Sequence, residues 1–479
     1  MAAAGDSSSS SSSNRFRVLD TTLVAPAAPA PPARSLPLTF LDVKWLHLPP
    51  VERVFFYRLI SPDDADVAAI LSGLRTSLSQ ALRAFYPLAG HVRILHNNGR
   101  RRHELCYRPG DAVPFTTAAY DDLDDDIDGA GRPVRVAALA PLAPQLPKGR
   151  AVLAVQATLL LSTTRGGQQG RALALGVTVH HSACDGAAST HFLHTWAAAA
   201  TRRSPPPPPP VMMDRVPDPR GLYDLYLNSL PPMITHDGFE FVSKPPSSFE
   251  DKLLATFTLP HSLQQSIKAA VAGEAARRGI TPPPRCSSML ATYAFIWCCC
   301  CRATTMPTTT GMVGTTTSYF LFSVDQRRRL SPPVPDTYLG NCLCPAIAAA
   351  PEQELAAAGV AGLMAACTAV AAALEEEVRE GAQANGWWDT CVDRVKQAVA
   401  RGTLLSVAGS PRFRVYDVDF GLGRPAKVAM VSAAKGGAMP VAEARGSAGG
   451  VEVGVSLPAA HMERFQKCFA DGIAWLSAP

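Results

Sequence analysis

The sequence predicts an α/β protein that folds as two lobes joined by a linker. Its 479 residues exceed what one ordinary hydrophobic core organises. Segments with the periodicity of strands and of helices occur in both halves of the chain, and no internal repeat is visible. An unbroken proline run at 205–210 separates the halves and favours an extended spacer, because proline fits neither a helix interior nor a sheet interior.

These features set the expected boundaries. Residues 1–14 include a polyserine run and are predicted to be a disordered tail. An N-terminal lobe is expected over 15–200, a proline-rich crossover linker over 201–230 and a C-terminal lobe over 231–479.

Apolar patterning places the individual elements. In the first lobe, apolar runs predict buried strands at 51–60 and 172–179. Leucines at helical spacing predict a helix over 66–85, which ends where Pro87 and Gly90 follow. In the second lobe the same patterns predict strands at 254–259, 416–420, 427–432 and 451–457, and helices at 261–278, 286–302, 355–380 and 461–475.

Composition excludes several classes of function. With 47% hydrophobic and 18% charged residues, the chain is predicted to be a well-buried soluble protein. A net charge of +5 with scattered arginines argues against nucleic acid as a partner. We expect no signal peptide and no membrane span. The twelve cysteines lack the spacing of a disulfide framework or a metal site, so free thiols and a cytoplasmic location are predicted, with no metal.

The most informative motif lies where the apolar run 172–179 ends. His180 and His181 follow it, and Asp185 and Gly186 come four and five residues after the second histidine. A histidine at a strand-to-helix turn presents its imidazole at the edge of the sheet, where general bases are often found. Alternation along the strand directs His180 to the opposite side from His181, where packing is its expected role.

Further strings accompany this HxxxD motif in a fixed order. They are 36–42 (LPLTFLD) with Trp45-Leu46, 77–90 (SLSQALRAFYPLAG), 324–330 (VDQRRRL), 338–342 (YLGNC) and 419–425 (DFGLGRP). Together they resemble the BAHD family of plant CoA-dependent acyltransferases, whose hallmarks are HxxxD and DFGWG. The resemblance covers roughly residues 15–475.

This resemblance implies a fold and an activity. The family has two similar lobes of mixed sheet and helices, like chloramphenicol acetyltransferase, with a channel between them. Acyl-CoA enters as a co-substrate from one side and the acceptor from the other, no cofactor is bound, and a monomer is expected. The YLGNC string is similar to the YFGNC motif of the clade that acylates anthocyanins, flavonoids and phenolic glycosides, with Leu339 in place of phenylalanine.

The resemblance also assigns roles to residues. His181 is the expected general base. Asp185 either orients His181 or, as in the family, pairs with an arginine of the VDQRRRL string, for which Arg327 is the expected residue. Asp419 is expected to be structural, with a second catalytic role as the alternative, and it belongs to a motif with Phe420, Gly421 and Gly423. Leu422 stands where the family has tryptophan.

The acyl donor is left open. Ser287, Ser288 and Arg302 are candidates for binding CoA by their position in the family, although Arg302 could equally be a solvated charge at a helix end. Many relatives that use malonyl-CoA carry lysines at positions corresponding to Ala187 and His194, so both malonyl and hydroxycinnamoyl donors are considered. A catalytically idle relative that binds a phenolic or CoA ligand is the alternative. A Ser-His-Asp hydrolase is disfavoured because no G-x-S-x-G elbow precedes a helix in the right context.

Overall fold

A computed structural model describes most of the chain. The described residues are 16–59, 63–97, 100–121, 132–147, 151–163, 169–212, 216–218, 220–230, 249–284, 286–304, 316–383 and 386–477. The tail predicted at 1–14 therefore lies outside the described residues, as do 231–248 at the start of the predicted second lobe.

The described strands and helices alternate along the chain. The strands are β1 Phe16–Val24, β2 Arg34–Pro37, β3 Val51–Leu59, β4 His91–Asn97, β5 Arg100–Tyr107, β6 Val113–Asp121, β7 Val134–Arg135, β8 Leu153–Thr163, β9 Gln169–Val179, β10 Lys252–Leu259, β11 Thr317–Asp325, β12 Leu343–Pro351, β13 Thr403–Gly409, β14 Lys427–Met430, β15 Met439–Glu443 and β16 Val451–Pro458. The helices are α1 Phe40–Val43, α2 Asp64–Ala84, α3 Val136–Leu139, α4 Gly186–Ala200, α5 Leu222–Ser229, α6 His261–Arg278, α7 Ser288–Thr304, α8 Glu352–Ala356, α9 Val360–Gln383, α10 Cys391–Arg401, α11 Val431–Gly436 and α12 Ala459–Ser477.

Two large mixed sheets organise these elements. The first has the order β1-β6-β8-β9-β3-β14, and the second has the order β12-β11-β13-β15-β16-β10-β7. A small third sheet, β2-β5-β4, adjoins the first half. Helices α2 and α4 pack on each other in the first half, whereas α6, α7, α9 and α12 pack together in the second. The predicted mixed α/β class is confirmed.

Each large sheet contains one short strand from the other half of the chain. Strand β14 pairs with β3, so that Lys427 lies opposite Phe56 in the first sheet. Strand β7 pairs with β10, so that Val134 lies opposite Leu254 in the second. A small buried cluster that includes Val54, Leu254 and Ala429 fills the junction. The boundary predicted between the lobes thus falls between two sheets that exchange strands.

Three predicted elements of the second half were wrong in type or extent. Residues 416–420 do not form a strand: Val415–Asp417 is a 3₁₀ turn, and the chain then loops through Phe420. The strand predicted over 427–432 ends at Met430, where α11 begins. The helix predicted over 355–380 is divided into α8 and α9, because Gly359 adopts a positive φ of 66° that interrupts the helix.

The predicted linker is only partly extended. Residues 205–210 have no regular structure and are largely exposed, as a proline run favours. Val211 then forms an isolated parallel bridge with Tyr338, which ties the linker to the second half. The short helix α5 follows within the predicted linker and packs on α1.

Packing between α2 and α4 positions the strand-to-helix turn after β9. Asp63 and Asp66 cap the start of α2 reciprocally, and Leu74 and Leu78 face its packed side. Trp196 of α4 is fully buried, and its indole Nε1 donates to Ser77 Oγ at 3.0 Å. The aromatic ring therefore fixes α4, and with it the turn that carries the HxxxD motif.

Trp196→Ala should lower the free energy of unfolding by about 3–5 kcal/mol, because it removes a fully buried ring and leaves a cavity. Urea denaturation followed by circular dichroism measures this loss. Trp475→Ala is the matched control: that ring is 43% exposed, and its removal should cost less than about 1 kcal/mol. Equal unfolding midpoints for the two variants would contradict the role given to Trp196.

Candidate active site

Strand β9 delivers the two histidines to the junction between the sheets. Its last residue, Val179, lies opposite Val51 of β3 and Leu153 of β8. His180 continues the ladder by donating its backbone N–H to the Val152 carbonyl at 2.8 Å. Asp185 then begins α4 as its N-cap, with Oδ1 accepting from the backbone N–H of Ala188 at 3.0 Å. The motif is a tight strand-to-helix turn in which each of these residues has a fixed position.

Asp185 faces an arginine, not the imidazole. Its two carboxylate oxygens accept from the Arg327 guanidinium at 2.8 and 3.0 Å, and both side chains are almost completely buried. The backbone N–H of Cys342 also donates to Asp185 Oδ2 at 3.0 Å. Burial opposes the charge on Arg327, but Asp185 more than compensates and raises the pKa of the guanidinium. This bidentate pair joins the turn of the first half to the segment 325–342 of the second.

His181 lies against an aromatic ring. Its imidazole stacks on Trp45, with ring centroids 4.1 Å apart and planes 4° from parallel. The Asn341 side chain donates to the His181 carbonyl at 2.9 Å, and Asn341 is itself held by Asp42 Oδ1 through its backbone N–H at 2.8 Å and its side-chain amide at 3.0 Å. The residue is thus positioned by groups from two separate parts of the chain, the segment 42–45 and Asn341.

The electrostatic environment keeps His181 neutral. Burial lowers the pKa of the imidazole, an effect that its own backbone carbonyl and Asp185 only partly offset. The Asn341 side chain also favours the charged ring, although Nδ1 is buried without a well-formed hydrogen bond to the described part of the chain. Nε2 makes no hydrogen bond to the described part of the chain either, and the residue as a whole is only partly buried. A neutral imidazole with an uncommitted nitrogen is the form that accepts a proton.

His180 is a packing residue by its contacts. It is fully buried, and its Nδ1 lies 2.9 Å from Ser182 Oγ and 3.1 Å from the Ser182 backbone N–H. Burial, with a smaller contribution from His181, lowers the pKa of His180 to about 3.

A cation near His181 was not identified from the sequence. The ammonium of Lys44 lies 5.8 Å from the ring centroids of both Trp45 and Tyr226 and donates to the Leu343 carbonyl. Its charge contributes to the lowered pKa of His181. A single lysine has no periodicity or motif spacing in the sequence, so only the folded structure shows that Lys44 lies near His181.

The segment 419–423 is attached to the first half. Asp419 Oδ1 accepts from the backbone N–H of Gly421 at 2.8 Å, and Phe420 packs edge-on to Trp196 at 4.6 Å between centroids. Gly421 and Gly423 have φ values of 88° and 80°, which side chains other than glycine rarely adopt. Leu422 packs against the same core as Phe420. Within the described residues, Asp419 makes no hydrogen bond to His181, so its contacts are those of a turn-forming residue.

The three candidate CoA contacts lie at opposite ends of α7. Ser287 Oγ accepts from the Leu290 backbone N–H at 3.2 Å, and Ser288 Oγ accepts from the ammonium of Lys268 at 3.1 Å. Arg302 lies at the other end of the helix, about 21 Å away from Ser288 at 1.5 Å per residue. Its guanidinium donates to the carbonyls of Ala356 and Ala357, at the end of α8. Lys268, which sequence reasoning missed, is a cation that lies beside Ser288.

The described chain holds neither a membrane helix nor a metal cluster. We find no helix in it with the length and apolar content that a bilayer crossing requires. Nor do three or more of its His, Cys, Asp and Glu side chains come together as metal ligands. All twelve cysteines are free, and the run 298–301 is buried in α7.

Comparison with known proteins identifies the family. Residues 16–471, nearly the whole chain, match the Transferase family. The chain belongs to this family, the BAHD acyltransferases. It is a CoA-dependent acyltransferase.

Two plant enzymes illustrate the relationship among sequences. A malonyl-coenzyme A:anthocyanin 3-O-glucoside-6''-O-malonyltransferase of Dahlia pinnata is 28% identical, with 95% of this chain and 97% of the relative aligned. A coumaroyl-CoA:anthocyanidin 3-O-glucoside-6''-O-coumaroyltransferase of Arabidopsis thaliana is 26% identical, with the same coverage of both chains.

Solved structures share the fold. Vinorine synthase matches with a TM-score of 0.63 at 20% identity over 94% of this chain and 96% of the other. The F. graminearum protein TRI101, complexed with ethyl coenzyme A, matches with a TM-score of 0.57 at 16% identity over 91% of this chain and 97% of the other. The two-lobed fold expected of a BAHD acyltransferase is confirmed.

Asp185→Asn should lower the free energy of unfolding by about 3–5 kcal/mol, because it leaves the buried Arg327 charge without a counter-ion. Asp336→Asn removes the partner of Arg328 from a pair that is exposed on both sides, and should cost at most about 1 kcal/mol. Urea denaturation of both variants measures the difference. If the two variants lost the same stability, the buried pair would not have the structural role given to it.

Proposed function

We propose that this BAHD acyltransferase moves a malonyl or hydroxycinnamoyl group from acyl-CoA to a hydroxyl of a phenolic, flavonoid or anthocyanin glycoside, with His181 as the general base. The observation that carries the proposal is the neutral imidazole of His181, held by Trp45 and Asn341 with one ring nitrogen uncommitted. The relatives that transfer such groups to anthocyanin glucosides support the choice of substrates.

The proposed reaction is a direct transfer. Nε2 of His181 takes the proton of the acceptor hydroxyl as its oxygen bonds to the thioester carbon. The tetrahedral intermediate then expels the CoA sulfur, and His181 returns the proton to the departing thiolate. The acyl group is then on the acceptor oxygen, the hydroxyl proton is on CoA, and His181 is neutral again.

The neighbouring nucleophiles favour direct transfer over an acyl-enzyme. The Ser182 hydroxyl lies 2.9 Å from Nδ1 of His180, and burial lowers the pKa of that imidazole to about 3, which makes it a weak base for activating Ser182. Burial raises the pKa of the Cys184 thiol, and it raises the pKa of Cys344 to about 12. Protonated thiols are poor nucleophiles, so none of these side chains is activated to carry the acyl group.

The aromatic ring against His181, and further rings that pack on the same segment, suit a phenolic acceptor. Trp45 and Trp388 are both partly exposed, and Trp388 lies 5.7 Å from the ring of Phe40, which belongs to the same segment as Trp45. Flat apolar rings stack on such side chains. The ammonium of Lys44 beside Trp45 adds a donor for sugar hydroxyls.

A second candidate function is ligand binding without turnover. It is favoured by Leu422, which stands where the family has tryptophan and so offers less aromatic contact area. The position of His181 against Trp45 and Asn341 favours catalysis over binding alone.

His181→Ala should reduce the rate of CoA release at least about 100-fold, because the acceptor hydroxyl then lacks a base. The assay follows thiol release from acetyl-, malonyl- and coumaroyl-CoA in the presence of a panel of phenolic glucosides. His96→Ala is the matched control, because His96 is exposed on β4, and this variant should retain the wild-type rate. Equal release by wild type and His181→Ala would support the idle relative and overturn catalysis by His181.

The pH dependence of kcat/KM should show an acidic limb with an apparent pKa below 6.5. The neutral form of His181 is the active one, and burial lowers its pKa, so activity persists below the pH at which an ordinary histidine is protonated. Below that pKa the rate should fall about tenfold per pH unit. Because His180 is buried and neutral, folding stability also decreases as the pH falls below 6.5, so circular dichroism must accompany each point. A limb at or above 6.5 would contradict the environment described for His181.

A further inference from the structure

A second arginine is buried near the HxxxD turn, and it forms no ion pair with a carboxylate of the described residues. Arg53 of β3 is 4% exposed, and its Nη1 donates to Thr190 Oγ1 at 3.2 Å. The described residues offer it no other hydrogen bond and no carboxylate within 4 Å. Arg327, by contrast, is equally buried and is bonded to both oxygens of Asp185. Arg327 therefore has a carboxylate within hydrogen-bond distance, whereas Arg53 has none among the described residues.

A buried charge without a counter-ion is costly. Removing a guanidinium from water disfavours folding unless an anion or several hydrogen bonds replace the lost hydration. Burial lowers the pKa of Arg53 to about 10, which reflects this penalty. The nearby Glu443 relieves it only in part: its carboxylate favours the charged guanidinium, but one of its oxygens accepts from the Tyr416 backbone N–H, and burial raises the pKa of its carboxyl. The charge is incompletely satisfied in the protein alone.

Arg53 also lines two cavities. The larger, about 30 Å³, is bounded by Phe413 and by apolar side chains of β14 and β15 that include Met430 and Val441. The smaller, about 10 Å³, lies against Val179 and Ser189, on either side of the HxxxD turn in sequence. The larger cavity has room for about two water molecules, or for one small anionic group.

The cavities adjoin the turn that carries His181. A side chain at Gly186 would meet the Phe413 ring at 2.6 Å, so the start of α4 and this wall of the larger cavity are in direct contact. His194 does not compete for a ligand there, since its Nε2 is bonded to the Phe413 carbonyl at 2.9 Å. Arg53 is thus a cation at the junction of the two halves, and its partner Thr190 lies on α4 four residues after Gly186.

We propose that Arg53 binds an anionic group of the acyl-CoA donor and so selects donors that carry a free carboxylate on the acyl chain, such as malonyl. This inference rests on the proposed function and narrows its donor. A guanidinium binds the oxygen atoms of a carboxylate and of a phosphate in the same way, so a CoA phosphate is the other group that Arg53 could bind. The small volume and apolar walls of the larger cavity favour the compact carboxylate of a short dicarboxylic acyl group over a phosphate with its hydration.

The test compares affinities for three CoA species, measured by calorimetry without turnover. Wild type should bind malonyl-CoA about tenfold or more tightly than acetyl-CoA or free CoA. Arg53→Met should abolish that preference and leave the other two affinities unchanged. If Arg53→Met lost the same affinity for all three CoA species, the anion on Arg53 would be a CoA phosphate. Arg53 would then still be an anion-binding residue, but it would not select the acyl group. Arg328→Met, which removes an exposed charge, is the matched control and should change nothing.

Stability separates a ligand site from a structural one. Because burial outweighs the favourable effect of Glu443 on the Arg53 charge, Arg53→Met without ligand should unfold at the same urea concentration as wild type or at a higher one. Arg53→Lys keeps the charge, and should retain part of the preference for malonyl-CoA even if the methionine variant folds poorly. Unchanged affinities in both variants, or a lower unfolding midpoint with unchanged affinities, would overturn the proposal.

The outcome is distinguishable from that of the proposed function. If malonyl-CoA binds through Arg53 but no glucoside is acylated, the site stands and the proposed transfer fails. If acylation proceeds in Arg53→Met with unchanged KM for every donor, the transfer stands and the site fails. If the wild type bound no CoA species at all, both would be overturned.

Discussion

The ion pair between Asp185 and Arg327 is the constraint on which the rest of the site depends. It is buried, bidentate and formed between residues 142 positions apart, so it connects the two halves of the chain at one point. Through the Cys342 backbone N–H, the same carboxylate also fixes the segment that supplies Asn341. Asn341 then holds the His181 backbone. The aspartate of the motif therefore positions its histidine indirectly, through a separate strand of the structure, and not by a hydrogen bond to the ring.

This indirect support has an electrostatic consequence. An aspartate bonded to the imidazole would stabilise the protonated ring, as it does in a Ser-His-Asp triad. Here the negative charge is neutralised by Arg327, and burial is the dominant influence on His181, which lowers its pKa. The base is kept neutral and ready to accept a proton. The same burial raises the pKa values of the surrounding thiols. One environment therefore keeps the histidine neutral, as a base must be, and keeps the cysteines protonated and unreactive.

Much of this arrangement could be predicted from the sequence, because its signals are local or carried by ordered motifs. The strand and helix that flank His181 and Asp185, the capped helix α2, and Arg327 as the expected neighbour of Asp185 all have such signals. The turn at 415–420 was missed because its apolar residues alternate like a strand, while its actual partners, such as Glu443, lie far away in sequence. Lys44, Arg53 and Lys268 were missed for the same reason: a single cation has no period, and only tertiary contacts reveal what surrounds it.

The exchange of short strands between the sheets has a consequence for how the protein is made. During synthesis, β3 emerges early, but its neighbour β14 lies near the C-terminal end of the chain. Until the ribosome has released most of the polypeptide, the edge of β3 has unpaired backbone groups and an apolar face. Such an edge is open to association with other chains. Either half expressed alone would therefore retain an open edge where a strand of the other half should pair.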